Sequence, residues 1–84
     1  MYIVKFDSEA LEFLEKSEKD IRVRIYNKIM DTKENPFHYW ERLTTRKDYK
    51  LRIGDYRAVA DINQNFKFIE VTLIGHRKNV YKKI

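Results

Sequence analysis

Apolar residues open the chain at every second position. Tyr2, Val4 and Phe6 alternate with Ile3 and Lys5, the period-two signature of a β-strand. Both of its faces carry apolar residues, so the pattern predicts an inner strand. The spacing then changes. Ala10, Leu11 and Leu14 fall at helical intervals, with Glu9, Glu12 and Glu15 facing elsewhere. Asp7 or Ser8 is placed to cap the helix start. Ser17 followed by Asp20 reads as a weaker capping box. A second helical stripe follows: Ile21, Ile25 and Ile29 lie four apart, broadened by Tyr26 and Met30. Asn35-Pro36 stops it. Two successive helices, each apolar on one side, predict a hairpin laid over a sheet.

Residues 37–47 keep no period. Phe37, Tyr39, Trp40 and Leu43 are read there as anchors of a core lid. Period-two alternation returns at Tyr49, Leu51 and Ile53, against Lys50 and Arg52. Gly54-Asp55 is a tight-hairpin signal. Residues 56–62 form the next strand, Asn63-Gln64-Asn65 a turn, and residues 66–74 the last strand. The expected fold is therefore α+β. A strand and an α-hairpin pack on a mostly antiparallel four-stranded sheet, in the order β-α-α-β-β-β, with a short C-terminal tail. The single domain spans 1–84.

One sheet face should take the helices and the other stay partly open. Tyr56, Ala58, Ala60 and Ile62 suit the covered face. Arg57 then projects to the open face with Lys50 and Arg52. Asp61 is the acid whose alternation places it with Arg57. The segment GHRKNVY, residues 75–81, ends the last strand on an imidazole, a guanidinium, an ammonium and a phenol.

Charge sharpens this picture. The formal net charge is +5. Residues 1–41 hold seven Lys/Arg against nine Asp/Glu, a net of −2, whereas residues 42–84 hold eleven against four, a net of +7. The basic half should attract a polyanion: RNA, DNA or an acidic protein segment. With no cysteine, a thiolate nucleophile and a thiolate metal site are excluded. That also fits a reducing, cytoplasmic setting. His38 and His76 are the chain's two histidines. No metal site and no cofactor are expected, and no run is long enough to span a bilayer.

Arginines beside a tyrosine and a histidine can cleave RNA without a metal. The ribose 2′-OH attacks the adjacent phosphate. An arginine fork suits the phosphoryl oxygens, histidine suits proton transfer, and surrounding cations favour a tyrosine anion. On residue types alone, plain nucleic-acid binding and acidic-peptide binding stay open beside cleavage.

KLRIGDYRAVADI at 50–62, followed by an apolar strand and GHRKNVYKKI at 75–84, resembles the RelE/ParE toxin superfamily, nearest to its RelE branch. The resemblance runs through FDSEAL at 6–11, NPF at 35–37 and ERL at 41–43. It implies a toxin of a type II toxin–antitoxin system, a ribosome-dependent endoribonuclease cutting messenger RNA in the decoding site. It implies as partners the ribosome with its messenger RNA and a RelB-like antitoxin, in a toxin–antitoxin heterotetramer. Arg57 corresponds to the family arginine on the reacting phosphate, Arg77 to the second active-site arginine, and Tyr81 to the C-terminal tyrosine. Lys50 matches one of two strand lysines. Asp48 stands at the other, where Arg52 or Arg46 could substitute. His76 and Lys78 complete the expected phosphate-binding set, with Asp61 supporting Arg57. The Arg77–Tyr81 interval is shorter than in the RelE pattern. A ParE-like gyrase inhibitor and a non-enzymatic component of a toxin–antitoxin complex are the alternatives.

Overall fold

The structure, a computed structural model, describes residues 1–44 and 46–84. Strand β1 (Ile3–Phe6) leads into helices α1 (Ser8–Lys16) and α2 (Lys19–Asp31). A 3-10 turn at Pro36–His38 precedes the short strand β2 (Glu41–Arg42). Then come β3 (Tyr49–Ile53), β4 (Tyr56–Asn63), β5 (Phe68–His76) and helix α3 (Arg77–Lys83). The sheet order is β1-β5-β4-β3-β2. β1 runs parallel to β5, and the other pairs are antiparallel. The α+β class and the β3-β4-β5 meander are as expected.

The hairpin of α1 and α2 covers one sheet face. Ala10, Leu14, Ile25 and Ile29 meet Leu51, Ile53, Ala58, Ala60, Ile69 and Val71 in one buried cluster. This is the helical stripe and the strand alternation of the sequence, fitted together. Trp40 closes the cluster at 3% exposure, and its Nε1 donates to Thr32 Oγ1 at 3.0 Å. Phe37 and Tyr39, expected beside it as anchors, are exposed.

Five expectations need correction. Among the described residues the sheet has five strands, because residues 41–42 pair with β3; a two-residue strand is too short to show a period. β1 lies at an edge, not inside, and Ile3 on its outer face is 64% exposed. Neither predicted helix cap forms: Asp7 precedes α1 without a side-chain bond, and Ser17 Oγ instead donates to Phe13 O at 2.7 Å. α2 ends at Asp31, with Thr32 as its C-cap, ahead of Asn35-Pro36. Finally, the expected tail is a helix, α3, seated on the open sheet face.

A β-bulge makes that seat. Ala60 pairs with Val71 but Val59 pairs with Leu73, so β5 carries one extra residue there. The extra residue shifts the alternation. Leu73 turns to the open face, where it joins Val59 and Val80 in a second small cluster with Leu43 and Ile84. Gly75 then comes to lie opposite Arg57.

Candidate active site on the open sheet face

Arg57 sits mid-sheet and is 4% exposed. Its guanidinium is held on two sides. Nη1 donates to the carbonyls of Gly54 and Tyr56, both at 2.7 Å, and Nε donates to the Tyr81 hydroxyl at 3.4 Å. Gly54 has φ 59°, the left-handed conformation that lets this two-residue turn close. The hairpin thus presents its carbonyls to Arg57. Those bonds occupy Nε and Nη1; among the described residues none engages Nη2, which is left for an oxygen of a ligand.

Tyr81 comes from α3, and Lys50 comes from β3. The Lys50 Nζ lies over the Tyr81 ring, 5.6 Å from its centroid. The hydrogen bond from Arg57 is the main influence lowering the Tyr81 phenol below the usual tyrosine value. The charges of Lys50 and Arg57 act in the same direction, and partial burial opposes them. A phenol made more acidic by two neighbouring cations loses its proton more readily, and its phenolate can take one from a ligand. An adjacent guanidinium is equipped to hold phosphoryl oxygens.

The other candidates divide. Arg52 is exposed on the open face, directly across from Arg57 in the β3–β4 register. Arg77 begins α3, exposed, with its backbone N–H donating to Asp55 O at 2.8 Å. Lys78 is exposed one residue on. Arg46 is paired with Asp48 at 2.6 Å, so the acid at the departed lysine position engages its own nearest substitute. His76 is paired with Tyr56, on the face covered by the helices, and their rings are 5.9 Å apart. Its Nδ1 accepts from Lys78 N at 3.3 Å, which makes it the N-cap of α3. The structure therefore brings Arg57, Tyr81, Lys50 and Arg52 to one face and sets His76 apart.

Asp61 does not support Arg57. The two lie four residues apart on one extended strand, about 13 Å along it. Among the described residues no ion pair joins them. Asp61 instead faces Glu70 across the β4–β5 pair. A hydrogen bond and charge repulsion from Asp7, reinforced by Asp61, hold the Glu70 carboxyl above the usual range. Among the described residues no three His, Asp or Glu side chains gather as metal ligands. No helix among them is long and apolar enough to cross a membrane.

Sequence reasoning missed the two hairpin carbonyls that hold Arg57, and it missed α3. A signal for α3 was present. Residues 77–83 contain no glycine or proline, and basic residues fill the last turn, where a helix favours them.

The sequence and the fold place the chain in the RelE/ParE toxin superfamily. The chain belongs to the family of ParE toxins of type II toxin–antitoxin systems, whose model matches residues 4–81. Solved structures of RelE toxins share its fold. The RelBE2 toxin–antitoxin complex from Mycobacterium tuberculosis superposes with a TM-score of 0.83 at 22% identity, over 90% of this chain and 98% of that one. The isolated RelE toxin of E. coli gives 0.77 at 23%, over 99% and 94%. The archaeal RelE–RelB complex from Pyrococcus horikoshii gives 0.74 at 22%, over 90% and 94%. No curated protein matches the sequence significantly.

Proposed function

We propose that this toxin-family chain is a metal-independent endoribonuclease that cuts messenger RNA in the decoding site of the ribosome. The observation that carries the reading is the Arg57–Tyr81 contact, with Lys50 over the phenol ring. The Tyr81 phenolate removes the proton of the ribose 2′-OH. The 2′-oxygen attacks the adjacent phosphorus and the bond to the 5′-oxygen breaks, leaving a 2′,3′-cyclic phosphate. Nη2 of Arg57 and the exposed forks of Arg52 and Arg77 balance the charge that gathers on the phosphoryl oxygens. Lys50 and Lys78 hold the RNA backbone. The departing 5′-oxygen takes its proton from water or from the decoding site. The ribosome supplies the remaining alignment, and free RNA is a poor substrate.

The partner expected to silence the chain is a RelB-like antitoxin, since the M. tuberculosis and P. horikoshii relatives are complexes with such proteins. It would cover the basic face and exclude the ribosome.

The test is a programmed ribosome with a vacant decoding site. Position-specific cuts, absent on free RNA and lost in Tyr81→Phe, support the reading. A gyrase-directed reading is the alternative, because the chain belongs to the ParE toxin family and fold alone does not fix activity. Inhibition of gyrase supercoiling with no ribosome-dependent cutting would put that reading first.

A further inference from the structure

Gly75 lies opposite Arg57 on the open face and is buried. Its φ is not in the left-handed region, which among the glycines belongs to Gly54. The backbone therefore does not require glycine here. The space above it does. A Cβ at position 75 would stand 3.2 Å from Val80 Cγ2, closer than carbon atoms pack at their optimum. Val80 is 1% exposed and is the residue by which α3 enters the open-face cluster. Tyr81 is the next residue. Its bond from Arg57 Nε is 3.4 Å long, already at the outer end of hydrogen-bond geometry. A few tenths of an ångström is enough to break it.

We propose that Gly75 is a positioning residue: its missing side chain lets α3 settle close enough to the sheet for the Tyr81 hydroxyl to reach Arg57. The chain of causes is short. A methyl at position 75 lifts Val80, Val80 lifts the turn that carries Tyr81, and the phenol leaves the guanidinium. The consequence for RNA cleavage rests on the function proposed above. The geometric claim does not, and it can be read without any substrate.

The readout is the titration of Tyr81 followed by carbon NMR of ring-labelled tyrosine, its signal assigned by loss in Tyr81→Phe. In the unaltered protein Tyr81 should titrate below the usual tyrosine value. In Gly75→Ala its midpoint should move up toward that usual value while the melting curve stays cooperative. Cleavage on programmed ribosomes should fall about tenfold in kcat with KM little changed, as expected for a displaced reacting group. Val80→Ala and the double variant complete a cycle. Because the two side chains act through one contact, the double variant should titrate no higher than Val80→Ala alone. An unmoved Tyr81 in Gly75→Ala, or additive shifts in the cycle, overturns the proposal. A shifted Tyr81 in a protein that never cuts RNA leaves Gly75 in its role and removes the nuclease reading.

Discussion

Tyr81→Phe isolates the chemistry from the fold. Arg57→Ala does not, because it also strips two bonds from the β3–β4 turn. Tyr81 is 46% exposed and loses only its hydroxyl in the change, so the ring can stay beneath Lys50. The single bond lost is long and part-buried, so the stability cost should stay under about 1 kcal/mol. A depressed phenol stabilises the fold fully above the ordinary tyrosine value, and that contribution is gone once pH falls below the folded value. Activity should behave otherwise. A positioned general base contributes roughly a hundred- to ten-thousandfold, and Phe has none to offer. The expected result is a loss of at least about a hundredfold in kcat with an almost unchanged melting temperature. The pH profile gives a second check. If Tyr81 is the base, the unaltered protein should gain rate with pH up to the depressed Tyr81 value. Lys50→Met should move that limb upward, because one of the cations favouring the phenolate is gone. Single-turnover cutting of programmed ribosomes between pH 6 and 9 measures both. Full activity in Tyr81→Phe, or a profile indifferent to Lys50, would refute the assignment of Tyr81 as base.

His76→Asn should keep the α3 cap and most activity, whereas His76→Ala should weaken α3 by about 0.5–2 kcal/mol; activity lost equally in both would instead make the imidazole a proton carrier. Thr32→Val leaves the buried Trp40 Nε1 without its acceptor and should cost about 1–3 kcal/mol in denaturant unfolding. Glu70→Gln removes a carboxyl pressed by Asp7 and Asp61. The raised Glu70 pKa opposes folding above its folded value and has no effect below the unfolded one. The variant should therefore melt higher than the parent at neutral pH and alike in acid; equal melting at neutral pH would contradict the repulsion. In native-state hydrogen exchange, α3 amides should open locally at about 2–4 kcal/mol, since the helix is held mainly by Val80 burial and an exposed Lys83–Glu9 pair. Exchange only on global unfolding would refute this.

The parts of the fold that repeat were legible, and the parts made by single residues were not. Ile21, Ile25 and Ile29 declare their helix because four-residue spacing leaves no other element that buries them together. Tyr49, Leu51 and Ile53 declare their strand by the same logic at period two. The bulge is different. Val71, Leu73 and Ile74 read as one apolar run, and nothing in that run says where the alternation slips. Only the need to cover Val59 on the far face decides it. The edge position of β1 was hidden because Ile3 looks like a buried residue and is not. Of the site, Arg57 and Lys50 were readable, since strand alternation places both on one face. Tyr81 was readable by resemblance but not by geometry, because its position depends on α3. His76 was misleading: it stands next to Arg77 in sequence, yet its ring lies against Tyr56 on the face covered by the helices.

The arrangement also bears on the choice between a nuclease and a docking protein. A surface that only binds a partner gains little from an arginine that is 4% exposed, since Nη1 and Nε are held by the protein's own carbonyls and by the Tyr81 hydroxyl. Nor does such a surface gain from a phenol made more acidic. A catalyst gains from both. Fixing Arg57 against Gly54 and Tyr56 means that it does not reorganise when charge develops. Directing its Nε at Tyr81 couples the proposed base to the same fixed cation. Lys50 adds charge from a neighbouring strand rather than a mobile loop. These features concentrate on one side of α3. On its other side Lys83 meets Glu9 of α1 in an exposed pair, the ordinary finish of a surface helix. The asymmetry across seven residues is what a helix would have if its task were to deliver one phenol, and it weighs toward chemistry at Tyr81.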